Sequence, residues 1–326
     1  MSNCEKIYHS IAINNEIEID CFQNLLLSYL EYYGMNADEL KFVWPYAFVK
    51  KEADENKWRI EHDDAISIER IRKYYNAKCE MKYFDNNERK IDIIRELLKK
   101  DQAVFVCIDE YYVPYHYNYI YLKQHGVHTV LVTKIDEENN LVQLVSSIPY
   151  FKGEITLDCF LNALESMQVN QWYCVLDENS FINPEKYVLD VYKREIVMST
   201  EKVDKIILTE DILLYILDLK EENRAKNISE LCKGTWGWKI TKKGELLIEY
   251  IKNNYSRSPQ LKEIVELIER LNSEWTRAYK LMYKSIISKK DEDLNKAINY
   301  LREECENEKI LREKLLILIG EEKVYE

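Results

Sequence analysis

The chain has 326 residues, a formal net charge of −12 and 32% charged residues, with only 7 glycines and 5 prolines. That length holds two ordinary domains or one elaborated domain, and scarce Gly and Pro beside plentiful Leu, Ile and Val point to an ordered, helix-rich protein. A nucleic-acid partner would have to be met by a local basic patch against this acidic field, so none is expected. The N-terminus MSNCEKIYHS is polar and lacks a signal-peptide pattern. No run of about 18 apolar residues offers a membrane span. The expectation is a cytoplasmic protein with no membrane partner. The 8 cysteines are scattered without a C-x-x-C pair and read as reduced thiols. His125 and His128 stand three apart beside a glycine, a spacing that on a strand-leading loop need not converge, so neither a metal nor another cofactor is expected.

From Asn15 to Gly34 the sequence NEIEIDCFQNLLLSYLEYYG has a helix start, an apolar stripe at Phe22, Leu25, Leu26, Tyr29, Leu30 and Tyr33, and a glycine stop. Asp20 stands at the N-cap, which puts Cys21 in the first turn, where free N–H groups and the positive dipole end favour a thiolate. The hydrophobic cluster Phe42 to Phe48 is expected to pack on this helix. Residues 64–76 and 90–100 carry helical periodicity. Four short β-branched and aromatic runs follow, at 103–109, 128–135, 141–147 and 171–177, with a polar turn at Asp136 to Asn140 joining the second and third as a hairpin. Leu157 to Met167 reads as a helix before the last strand. From about residue 200 the text turns to charged helices, at 202–222, 243–254, 258–289 and 291–319, and Leu261, Ile264, Val265, Ile268, Leu271, Trp275 and Met282 keep one apolar stripe, as in a helix bundle. The two tryptophans of KGTWGW (233–238) plug a core or line a pocket. Helices followed by an antiparallel sheet make an α+β domain over 1–199, and 200–326 forms an all-α domain.

Cys21 finds a partner in His128, which stands two residues after Gly126 and opens the apolar strand HTVLVTKI. As isolated residues they read more readily as a small buried hydrophobe and a strand-end imidazole. Asn15, six residues before Cys21, can offer a side-chain N–H to an oxyanion beside the sulfur if the chain curls back. Tyr111 to Tyr121 (YYVPYHYNYIY) holds six tyrosines. These phenols, Tyr112 and Tyr115 among them, either wall a substrate channel or fold onto the protein's own surface. Asp109 and Glu110 at the start of that loop either hold a cationic amine or stand as solvated charges.

The D-C of Asp20 and Cys21, an amide side chain six residues upstream, and a histidine opening H-x-V-L-V resemble the papain-fold peptidases that trim bacteriocin leaders. DCFQNLLLSYLEYYG together with DEYYVPYHYNYIYLKQHGVHTVLV is more specifically similar to the N-terminal domain family of butirosin biosynthesis protein H, over roughly residues 10–180. The resemblance implies a papain-like cysteine-protease fold in which an N-terminal helix packs on an antiparallel sheet. It also implies an acyltransferase that moves an acyl group from an acyl or peptidyl carrier-protein thioester through Cys21 to a small-molecule amine, forming an amide. The peptidases carry glutamine where this chain has Asn15. They also place the acid that orients the histidine at the end of the next strand, where this chain has Ser146 and Ser147. A peptidase or thioesterase using the same Cys21 and His128, or a non-catalytic binding scaffold on the same fold, are the alternatives.

Overall fold

The computed structural model describes residues 1–13, 21–40, 47–50, 58–61, 64–85, 89–116, 120–166, 171–198, 209–219, 221–233 and 236–321. In chain order the elements are α1 (Asn3–Ser10), α2 (Cys21–Tyr32), β1 (Ala47–Lys50), β2 (Trp58–Glu61), α3 (Asp64–Tyr75), β3 (Lys78–Tyr83), α4 (Lys90–Lys99) and β4 (Val104–Asp109). Then come β5 (Val127–Asp136), β6 (Leu141–Ser147), β7 (Tyr150–Thr156), α5 (Leu157–Glu165) and β8 (Trp172–Asp177). The remaining helices are α6 (Lys186–Met198), α7 (Thr209–Asp218), α8 (Glu221–Lys233), α9 (Trp236–Asn254), α10 (Leu261–Ser288) and α11 (Asp291–Glu321). The chain is thus α+β, with an all-helical stretch after β8. It divides into two compact units, Met1–Ala37 with Asp64–Pro184, and Asp38–Asp63 with Glu185–Glu326. Among the described residues no helix is long and apolar enough to cross a membrane.

The first unit is built on a six-stranded antiparallel sheet in the order β3-β8-β4-β5-β6-β7. Every residue of β4, VFVCID, is buried, as expected of a central strand covered on both faces. Because side chains alternate, Val104, Val106 and Ile108 face one way with Val130, Val132 and Leu144, against Ile94 of α4 and Phe160 of α5. Phe105 faces the other way and meets Phe22 and Tyr29 of α2 edge-on, with ring centroids 5.8 and 5.3 Å apart. Phe22 also meets Trp172 at 5.0 Å. Each fully buried aromatic anchor contributes about 1.5–3 kcal/mol, so these contacts hold α2 firmly across the sheet. Gly34, at φ +74°, closes α2: its N–H bonds Glu31 O at 2.9 Å and the Met35 N–H bonds Leu30 O at 3.0 Å, a Schellman ending.

The second unit pairs the short β1–β2 ladder with helices α6 to α11. Its core gathers Ile212, Ile216, Ile228, Trp275, Met282 and Leu301. The stripe read on α10 is its buried face: Ile264, Val265, Ile268, Leu271, Trp275 and Met282 are all buried. Lys193, nearly inaccessible, is neutralised by Glu39 at 2.7 Å, which also accepts from the Tyr250 hydroxyl at 2.7 Å. Residues 41–46, most of the cluster expected on α2, and the side chains of Trp236 and Trp238 lie outside what is described.

Candidate active site around Cys21 and His128

Cys21 is the first residue of α2 and is tied to two strands. Its Sγ accepts the backbone N–H of Thr129 on β5 at 3.3 Å, and its carbonyl accepts the Ser147 hydroxyl on β6 at 2.8 Å. The β5–β6 register begins at Leu131↔Val145, so Cys21 enters where these strands have parted. The sulfur therefore lies against the residue that follows His128. A backbone N–H directed at sulfur favours the thiolate, as does the helix terminus.

His128 is buried, and its Nε2 is crowded. The Tyr115 hydroxyl lies 3.0 Å away, the Ser146 hydroxyl 3.1 Å and the Nε2 of His116 3.4 Å. Ser146 Oγ also donates to Pro149 O at 2.9 Å. A hydroxyl has one proton to give, so Ser146 accepts from His128, which places the imidazole proton on Nε2 and leaves the Nδ1 lone pair open. Burial, reinforced by neighbouring His116, holds His128 well below the ordinary imidazole range, so it rests neutral. Burial likewise pushes His116 down to about 4 and the Tyr115 phenol above its usual value. Of the two serines at the end of β6, Ser146 therefore faces His128, and Ser147 tethers the cysteine backbone instead. Asn15 lies among residues 14–20, outside the described residues.

The loop between β4 and β5 folds back on itself beyond the strand ladder, with Glu110 N–H bonded to Gly126 O at 2.9 Å and Leu122 N–H to Tyr111 O at 2.8 Å. Asp109 clasps its base. The carboxylate is inaccessible and accepts from Ser166 Oγ at 2.5 Å, His125 Nδ1 at 2.6 Å, Tyr111 N at 3.0 Å and Gly126 N at 3.3 Å. Burial works to raise its pKa, but these donors, Ser166 and His125 foremost, hold it below the ordinary carboxylate value. With its oxygens so engaged, Asp109 holds the base of the loop together. Tyr112 packs edge-on to Tyr111 at 4.9 Å in the same clasp. Tyr115 stacks on Phe151 at 4.1 Å with its hydroxyl turned to His128, so it belongs to the histidine's surroundings. Glu110 is pushed up to about 7 by burial and by the Asp109 charge, and its Oε2 lies 3.9 Å from His116 Nδ1. A Cβ on Gly126 would overlap Glu110 Oε1, so the glycine makes room for that carboxylate. Glu110, His116 and His128 bring one ligand atom each within 4.8 Å of one another.

The residues that sequence reasoning missed are His116, Thr129 and Ser166. His116 stands 12 positions before His128 in a tyrosine-rich loop whose fold-back leaves no pattern in the sequence. Thr129 acts through its backbone, which no side-chain motif reports. Compared with protein-family models and with curated proteins, the chain matches none.

Proposed function

We propose that the chain is a cysteine-dependent acyltransferase of papain-like fold, an amide synthase of natural-product biosynthesis. Its length and helical second half resemble the amide synthase of closthioamide assembly, and its first half resembles the butirosin biosynthesis protein H family. The observation that supports the reading is the Thr129 N–H on Cys21 Sγ, which puts a helix-start thiol against the residue that follows His128, with His128 Nδ1 proposed as the base.

In the proposed reaction the Cys21 thiol gives its proton to His128 Nδ1, and the sulfur attacks the carbonyl carbon of a carrier-protein thioester. The Cys21 backbone N–H, with the Asn15 amide, receives the oxyanion. The carrier sulfur leaves with the proton held by His128, and Cys21 keeps the acyl group. An amine then attacks, passes a proton to His128 and takes the acyl group as an amide. The released Cys21 sulfur recovers that proton. The thioester supplies the driving force, so no nucleotide is needed.

Intact-protein mass after incubation with acyl thioesters, with and without a primary amine, tests this. Wild type should gain one acyl group that clears as amide, and Cys21→Ala should gain none. Free acid as the main product in excess amine would replace the transferase with a hydrolase. No adduct, with Cys21 alkylating no faster than the other thiols, would leave a binding scaffold.

A further inference from the structure

We propose that His116, His128 and Glu110 form a binding site for one divalent transition-metal ion of the zinc class, and that the bound ion silences Cys21. The second half of this statement rests on the acyl-transfer reading; the first does not.

The argument begins with lone pairs. His128 Nε2, His116 Nε2, Tyr115 Oη and Ser146 Oγ converge in a buried space, with the other three atoms all 3.0–3.4 Å from His128 Nε2. Each of these four atoms also brings an unshared pair into one buried space, an arrangement that a cation can organise. Two imidazole nitrogens on one tetrahedral zinc, each about 2.0–2.1 Å from the metal, stand about 3.3–3.4 Å apart. The two Nε2 atoms are 3.4 Å apart. The ring centroids are 4.4 Å apart at 79°, so His116 has to turn for both lone pairs to meet at one point. Glu110 supplies the carboxylate from the less buried side: one ligand atom from each of the three residues lies within 4.8 Å of the others, and because Glu110 Oε2 is 3.9 Å from His116 Nδ1, the same turn of the His116 ring is needed before its Nε2 and the carboxylate share one ion. Two imidazoles and a carboxylate suit zinc, nickel, cobalt or copper, and not calcium or magnesium.

The consequence for chemistry follows from the tautomer. Metal on Nε2 takes that nitrogen's electron pair, so the single proton of the neutral ring leaves Ser146 and moves from Nε2 to Nδ1. That is the nitrogen required to take the Cys21 proton. The occupied site therefore removes the base without touching the sulfur.

The test uses the full chain, reduced and freed of metal with a chelator, titrated with Co²⁺. One equivalent should bind with visible ligand-field absorption and without the near-ultraviolet thiolate-to-cobalt band, and Zn²⁺ should displace it. His116→Gln, and separately Glu110→Gln, should weaken binding about tenfold or more, with thermal melting confirming that each variant is folded. Zn²⁺ should slow Cys21 alkylation in wild type and not in His116→Gln. A thiolate band, binding unchanged in both variants, or no binding up to millimolar Co²⁺ would overturn the site. If Cys21 proves inert even without metal, the acyl-transfer reading falls, and the cobalt spectra still decide the site.

Discussion

The tautomer of His128 turns on one hydroxyl. Ser146 donates to Pro149 O and so can only accept from Nε2. Ser146→Ala removes that acceptor and lets the proton redistribute between the ring nitrogens, so Cys21 alkylation at neutral pH should slow on the order of tenfold. Ser146→Thr, which keeps the hydroxyl, should restore most of it. Equal rates in wild type and Ser146→Ala would show that Tyr115 alone holds the ring. At this scale the legibility of the site was uneven. Cys21 and His128 could be singled out because a helix start and a strand start leave marks in sequence. The choice between Ser146 and Ser147 could not be made, since it depends on which face of β6 lies towards β5's histidine. Asp109 read either as a grip for a cationic amine or as a solvated charge, because nothing in the sequence reveals that Ser166, His125 and two backbone N–H groups converge on it.

Among the elements, those with two buried faces or one long apolar stripe were legible, and those at the margins were not. The strand runs at 103–109, 128–135, 141–147 and 171–177 correspond to β4, β5, β6 and β8, whose β-branched residues fill the interior. β3 (KCEMKY) and β7 (YFKGEIT) are the sheet's two edges, exposed or half-buried except at Ile155, and without an apolar pattern to declare them. Helix α1 did carry a signal that went unread: Ser2 and Glu5 form a reciprocal capping box, Ser2 N to Glu5 Oε2 at 2.9 Å and Glu5 N to Ser2 Oγ at 3.1 Å. The glycine stop of α2 gives a clean element-scale prediction. A Cβ at Gly34 meets nothing within 4 Å, so Gly34→Ala acts through the positive φ alone. It should cost about 1 kcal/mol in denaturant unfolding, with the mass-adduct chemistry at Cys21 unchanged. A loss of several kcal/mol would mean that Gly34 has a packing role instead.

For the whole molecule, the order of helices, sheet and then charged helices suggests an α+β region before an all-α one, whereas the two compact units each bury a core of their own and the second holds the β1–β2 ladder as well as its helices. What composition does not report is that Asp38–Asp63 belongs with the later helices, since a segment punctuated by aromatics carries no mark of which unit it joins. The charge balance of an acidic chain also reaches into that unit. Glu304 on α11 is wholly inaccessible; its Oε2 has no hydrogen-bond partner among the described residues, and Asn307 reaches Oε1 only at 3.4 Å. Burial pushes Glu304 up to about 7; Glu274 and Glu303 add to the rise, and Arg270 and the Asn307 hydrogen bond oppose it. Between the ordinary value of 4.5 and about 7 the folded state keeps a proton that the unfolded chain has released. Stability is therefore fully present below pH 4.5, falls by about 1.4 kcal/mol per pH unit through that window, and stays lost above it. Glu304→Gln keeps the shape and removes the titration. Its stabilising effect should be about 1–3 kcal/mol at pH 8 and near zero at pH 4.5, read from urea unfolding and from amide exchange in α10 and α11. An equal shift at both pH values would mean that the substitution acts through packing, and that the carboxyl of Glu304 is ionised in the fold after all.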